Sequence, residues 1–234
     1  MWKSFLLLVL CLCISQGFVQ GVGAADNELS DQEQKDGWKL LFNGKDTTGW
    51  ENRDTGKLAN WTAENGELVC KPQHKDAVYM TEQFENFMLS CDWKIAPKGN
   101  SGVFIRTSSL KDWINTGMEV QVLDTRESGE MRFPKHVCAA LYDVVAPPAE
   151  MAMKQDDWNH FDITCDGPKI TAKMNGVEAW SIDLKDEKWK TKQGKFNKPY
   201  ATLPRKGYLM LQDHGGAISF KNVKIKVLPE SKPE

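Results

Sequence analysis

The chain has 234 residues, 41% of them hydrophobic, with 9 Trp and a formal charge of −2 at pH 7. That apolar content supports a sizeable core and excludes a disordered chain, which is poor in bulky apolar residues. The small net charge argues against a nucleic-acid binder, whose affinity rests on clustered Lys and Arg.

Met1-Trp2-Lys3 precedes an apolar run, Phe5 to Ile14, and then small residues, Gly21-Val22-Gly23-Ala24-Ala25. A basic start, an apolar stretch and a small-residue cleavage site predict a secretory signal peptide over 1–25, and hence a secreted or periplasmic protein. The run is too short for a membrane span, which needs about 20 apolar residues, and no later stretch comes near one. Residues 26–36 (DNELSDQEQKD) read as a loose polar lead-in, and 37–230 as a single domain.

From Gly37-Trp38 onward, short alternating runs recur between turn signals, which is the pattern of an all-β sandwich. The predicted strands are 87–95, 101–106, 118–124, 158–165, 169–174, 177–183, 207–212 and 218–228. Asn175-Gly176 and Asn65-Gly66 each mark a hairpin, because a type I′ turn needs positive φ at both central residues. The stretch 185–206 reads as a long basic connection, a solvated loop beside a groove, with anion binding as the alternative. Asn60-Trp61-Thr62 matches a glycosylation sequon. Cys70, Cys91, Cys138 and Cys165 remain after the signal. Export permits disulfides among them, while the apolar phase of Cys91 and Cys165 equally suits buried free thiols.

Side chains alternate faces along a strand. In MEVQVLD (118–124), Met118, Val120 and Val122 therefore take the core face, and Glu119 and Gln121 the opposite one. A carboxylate beside an amide can grip sugar hydroxyls. Strict alternation puts Asp124 on the core face, and a β-bulge would return it to the side of Glu119. Glu-x-Gln-x-x-Asp would then resemble the Glu-x-Asp-x-x-Glu signature of laminarinase-type glycosidases. Retaining enzymes hold two carboxyls about 5–5.5 Å apart. Here Gln121 replaces the central Asp and Asp124 is one methylene short, so double displacement fits poorly. In GYLMLQDHGG (207–216), Leu209 and Leu211 suit the core, leaving Gln212 and His214 at a strand end on the polar face. His exchanges protons near neutral pH. Arg106 shares a face with Gly102 and Phe104, with Glu119 as its expected partner. His136 and Tyr142-Asp143 lie at the edge of another strand, and His74 and His160 are weaker candidates.

A set of phrases occurs in order: Gly37-Trp38-x-x-Leu41-Phe42-Asn43-Gly44-Lys45-Asp46-x-x-Gly49-Trp50, Asn100-Ser101-Gly102-Val103-Phe104-x-Arg106, Glu119-Val120-Gln121-Val122-Leu123-Asp124, Ala140-Leu141-Tyr142-Asp143, Trp158-Asn159 and Leu211-Gln212-Asp213-His214-Gly215. Together they resemble the 3-keto-disaccharide hydrolase family over roughly 37–228. Cys138-Ala139-Ala140 departs from it, since the family usually has a Gly in the second or third place.

The resemblance implies a concanavalin-like jelly roll of two antiparallel sheets, exported, acting on glycosides already oxidised at C3. A 3-ketone acidifies the proton on C2. A base can then remove that proton, the C1 substituent leaves, and water adds back to the enone. The route needs a base, an acid for the leaving oxygen, and donors or a metal for the enolate. It implies Glu119 or His214 as base and Tyr142 or Asp124 as acid. Arg106, Gln121 and Gln212 bind substrate oxygens, with Asn100 and Ser101 among the substrate-binding positions. No cofactor is required by the sequence, although Glu119, Asp124 and His214 could ligate a divalent ion. The expected partner is a saccharide. A carbohydrate-binding module or a cell-envelope domain on the same sandwich is the alternative, since fold does not fix function. Convergence of Arg106, Glu119, Gln121 and His214 on one face separates the two.

Overall fold

The computed structural model describes residues 25–126 and 129–229. The predicted signal peptide lies outside the described residues, apart from Ala25. Thirteen strands follow in chain order: β1 (Trp38–Leu40), β2 (Trp50–Asn52), β3 (Trp61–Glu64), β4 (Glu67–Cys70), β5 (Ala77–Phe84), β6 (Phe87–Ile95), β7 (Asn100–Thr107), β8 (Met118–Leu123), β9 (Asn159–Asp166), β10 (Lys169–Met174), β11 (Val177–Asp183), β12 (Gly207–Leu211) and β13 (Ile218–Val227). Every pairing is antiparallel. An eight-stranded sheet runs β11-β10-β9-β6-β13-β4-β3, with β1 also on β13; a five-stranded sheet runs β2-β5-β12-β7-β8. This is the all-β jelly-roll sandwich that the sequence predicts. Among the described residues no helix is long and apolar enough to cross a membrane.

The core lies between the sheets because period-two apolar residues face inward. On β6 these are Phe87, Leu89, Cys91, Trp93 and Ile95; on β9 they are Phe161, Ile163 and Cys165. On β13 the apolar phase shifts between Phe220 and Val223. A register irregularity there, with Asn222 at φ +53°, resets the alternation. Asn65-Gly66 and Asn175-Gly176 both have positive φ and join the two predicted hairpins. Among the described residues Cys70, Cys91, Cys138 and Cys165 are free and buried, and burial raises their thiol pKa values, so the free-thiol alternative holds.

Three expectations change here. The lead-in is not loose. Asp31–Lys35 form a short helix capped by the reciprocal Ser30–Glu33 pair, with Glu33 also bound by Lys224 on β13. Asn27 and Asn222 exchange backbone and side-chain hydrogen bonds at 2.6 and 2.9 Å. The sequon at Asn60 is closed to modification, since Asn60 is buried and its amide donates to Asp213 (2.9 Å) and to the Lys75 carbonyl (3.0 Å). The basic connection is not simply solvated. Trp189, Phe196 and Tyr200 are buried within it, with Trp189 and Tyr200 stacked at 6.1 Å. Trp189 is therefore part of the core.

Candidate active site

Neither β7 nor β8 contributes an exposed residue, because both faces of this part of the five-stranded sheet are covered. Met118, Val120 and Val122 enter the core, as predicted. The opposite face carries two kinds of surface. Val78, Phe104 and Met210 form an apolar patch against Trp113. Beside it a pocket of about 190 Å³ is lined by Asn100, Trp113, Ile114, Glu119, Gln121, Tyr142, Lys195, Gln212 and His214.

Cross-strand register builds the pocket floor. Gly102 pairs with Gln121 and Phe104 with Glu119, while the Gln212 backbone N–H donates to the Gly102 carbonyl at 2.9 Å. Gly102 leaves room for its neighbour: a Cβ there would lie 2.4 Å from Glu119 Oε1. With its side-chain amide turned to the orientation that satisfies both neighbours, Gln121 donates from its nitrogen to the Ser101 carbonyl at 3.0 Å and to Glu119 Oε1 at 3.1 Å. Glu119 is 6% exposed. Burial disfavours its charged form and pushes the carboxyl pKa up to about 8; Lys195 opposes this and Asp76 adds to it. Gln212 Oε1 is buried without a partner, an acceptor facing a site where a hydroxyl could donate.

The free edge of β8 is covered by 139–142. Ala139 N donates to the Gln121 carbonyl (2.8 Å), Gln121 N to the Ala140 carbonyl (3.0 Å) and Tyr142 N to the Glu119 carbonyl (3.0 Å). Ala139 sits at φ +65°, a conformation suited to glycine, beside the departure noted in the sequence. Tyr142 stacks on His136 at 4.7 Å and lies under the Lys195 ammonium at 4.3 Å. Across the pocket, His214 is exposed and meets His74 edge-on at 6.3 Å. Its turn is fixed by buried Asp213, whose Oδ2 accepts from Asn60, Gln73 N (2.6 Å) and Lys75 N (3.0 Å).

Glu119, Gln121, Gln212, His214, Tyr142 and Asn100 thus share one pocket. Three predicted site residues do not. Asp124 is fully buried away from it. No bulge interrupts β8, and Arg126 holds both carboxylate oxygens at 2.6–3.1 Å, keeping the carboxyl below the usual range. Arg106 does not face Glu119. Its φ of +52° breaks the alternation at the end of β7. The guanidinium instead donates to the carbonyls of Glu85 (2.7 and 2.9 Å) and Gly167 (2.9 Å). Ser101 lies on the core face and donates to the Gln212 carbonyl at 2.7 Å. His160 is outside the pocket, between Asp162 and Asp92 on the eight-stranded sheet; these carboxylates raise its pKa to about 9. Among the described residues no group of three or more His, Cys, Asp or Glu could hold a metal ion, and Asp124 is not beside Glu119 and His214. Trp113, Ile114 and Lys195 line the pocket without being among the predicted site residues.

The chain is similar to known proteins over most of its length. A protein from Bacteroides thetaiotaomicron named 3-keto-disaccharide hydrolase is 26% identical over 229 residues, covering 82% of this chain and 79% of that protein. Two crystal structures from Parabacteroides distasonis ATCC 8503, of proteins provisionally assigned as glycosyl hydrolases, also match. One is 30% identical with a TM-score of 0.79, covering 88% of this chain and all of that one. The other is 28% identical with a TM-score of 0.70, covering 82% and 99%. The model of one family matches residues 37–226, a span that contains every residue of the pocket, and the chain belongs to that family, the 3-keto-alpha-glucoside-1,2-lyase-like domains.

Proposed function

We propose that this protein is an exported enzyme that cleaves the glycosidic bond of 3-keto-glycosides, including 3-keto-disaccharides, by elimination and rehydration. The observation that carries the reading is the buried carboxyl of Glu119 at the floor of a small polar pocket. At pH 7 Glu119, with its pKa near 8, is mostly protonated and suited to protonate a leaving oxygen. That assigns the acid role to Glu119 and leaves the base role to His214, whose exposed imidazole at the rim can reach a C2 proton. Gln121, Gln212 and Asn100 offer amide donors and acceptors to sugar hydroxyls. Tyr142 forms the wall beside them. A pocket of about 190 Å³ is smaller than the roughly 300–1,000 Å³ typical of drug-sized ligands and suits a single sugar ring.

The name of the Bacteroides relative supports the 3-keto substrate class. A displacement mechanism lacks its second carboxyl, because Asp124 is committed to Arg126. The test is an assay of one 3-keto-disaccharide and its unoxidised parent. Release of free sugar from the first alone is the expected result. Cleavage of the parent at a similar rate would refute the reading, and binding without cleavage of either would identify a lectin-like module.

A further inference from the structure

Elimination from a 3-keto sugar places negative charge on the C3 oxygen, and the amides of the pocket are neutral. We propose that Lys195 is a catalytic residue whose ammonium binds the C3 oxygen of the oxidised sugar and stabilises it as the enolate. The inference rests on the proposed function and adds to it the group that receives the developing charge.

Among the described residues lining the pocket, Lys195 is the one lysine or arginine. Its ammonium lies 4.3 Å from the Tyr142 ring centroid and 5.8 Å from that of Phe196, and no carboxylate among the described residues pairs with it. The cation lines the same small pocket as the buried Glu119. Lys195 is exposed, and a substrate entering the pocket can reach it.

The backbone beneath it is fixed. Lys195 N donates to Asp143 Oδ2 at 2.5 Å, and Asp143 Oδ1 meets His136 Nε2 at 3.0 Å. Gly194 has φ +51° and packs so closely that a Cβ would lie 2.4 Å from the Asp143 carbonyl oxygen. Buried Trp189, Phe196 and Tyr200 anchor the loop on both sides. A donor placed before the reaction begins is what electrostatic stabilisation of an oxyanion requires.

The steps balance. His214 takes the C2 proton, and the C–H electron pair forms C2=C3 while the C3 carbonyl electrons move to oxygen beside Lys195. The carbonyl re-forms, C1=C2 forms and C1–O breaks, with the leaving oxygen taking the Glu119 proton. Water then adds to C1, giving one proton back to Glu119, and the exposed His214, its proton exchanged with solvent, protonates C2. The net reaction consumes one water.

The experiment measures solvent deuterium exchange at C2 of a 3-keto-monosaccharide, which requires enolate formation but no C1–O cleavage, alongside kcat and KM for a 3-keto-disaccharide. Lys195→Ala should reduce exchange and kcat by about 10²-fold, as for loss of one oxyanion donor, with KM and melting temperature little changed. Lys195→Arg should restore part of both. Lys192→Ala, an exposed lysine of the same loop outside the pocket lining, should leave both at wild-type values. Wild-type exchange in Lys195→Ala would overturn the role of Lys195 and leave the proposed function standing. Absence of exchange and cleavage in the wild type would overturn both.

Discussion

Glu119 is the most heavily desolvated carboxyl of the site, and its environment makes two kinds of behaviour testable. Its pKa is raised from an ordinary 4.5 to about 8. A group whose folded pKa is raised contributes its full stability below the unfolded value and loses it as pH climbs through the folded one. The native protein should therefore lose stability relative to Glu119→Gln as pH rises from about 4.5 to about 8, as followed by melting temperature. Activity that depends on the protonated carboxyl should fall as pH rises through about 8. Glu119→Gln and His214→Ala should each reduce turnover by at least roughly 10²-fold, the lower range for acid–base catalysis. His214→Ala should do so with an unchanged melting temperature, since the side chain is exposed; a large drop in melting temperature would make His214 a structural residue. Strand period places Glu119, Gln121, Gln212 and His214 correctly from sequence alone. It misplaces Arg106, because the left-handed backbone there redirects the side chain, and such a change of phase leaves no mark in the hydrophobic pattern.

At the scale of elements, the site is a product of two strands whose faces are read differently. Val120 and Val122 are buried because they meet the opposite sheet; Glu119 and Gln121 are buried because loops and their own neighbours close over them. Val120→Asp should destabilise the domain by on the order of 4 kcal/mol, through an unpaired carboxyl in the core. Gly102→Ala tests the opposite face. The added Cβ would displace Glu119, so turnover should collapse while circular dichroism still reports a folded β protein. Retained turnover would show that the carboxyl position is not critical. The eight long alternating runs were legible as strands, whereas β1 and β2 are three residues each and too short to show a period. β5 escapes the period for another reason: it runs from buried Ala77 and Val78 through half-buried Tyr79 and Met80 to exposed Thr81 and Glu82 and back to buried Phe84, which blurs the alternation. Lys195 was illegible because nothing in a run of similar lysines distinguishes the one that Asp143 and Gly194 turn into the pocket.

For the whole molecule, the jelly roll, the family and the proposed chemistry support the same reading. The proposed export predicts that protein purified from its native host begins near Ala25 or Asp26; N-terminal sequencing that finds Met1 or Lys3 on a cytoplasmic product would refute it. The central claim is that an oxidised sugar is cleaved through abstraction of its C2 proton. The most direct measurement is the reaction of a 3-keto-disaccharide in deuterated water, followed by NMR of the released keto-sugar. Elimination and rehydration predict deuterium at C2 of every product molecule formed by exchange of the abstracted proton with solvent. Efficient cleavage with C2 still fully protonated would contradict the account and restore a direct displacement at C1.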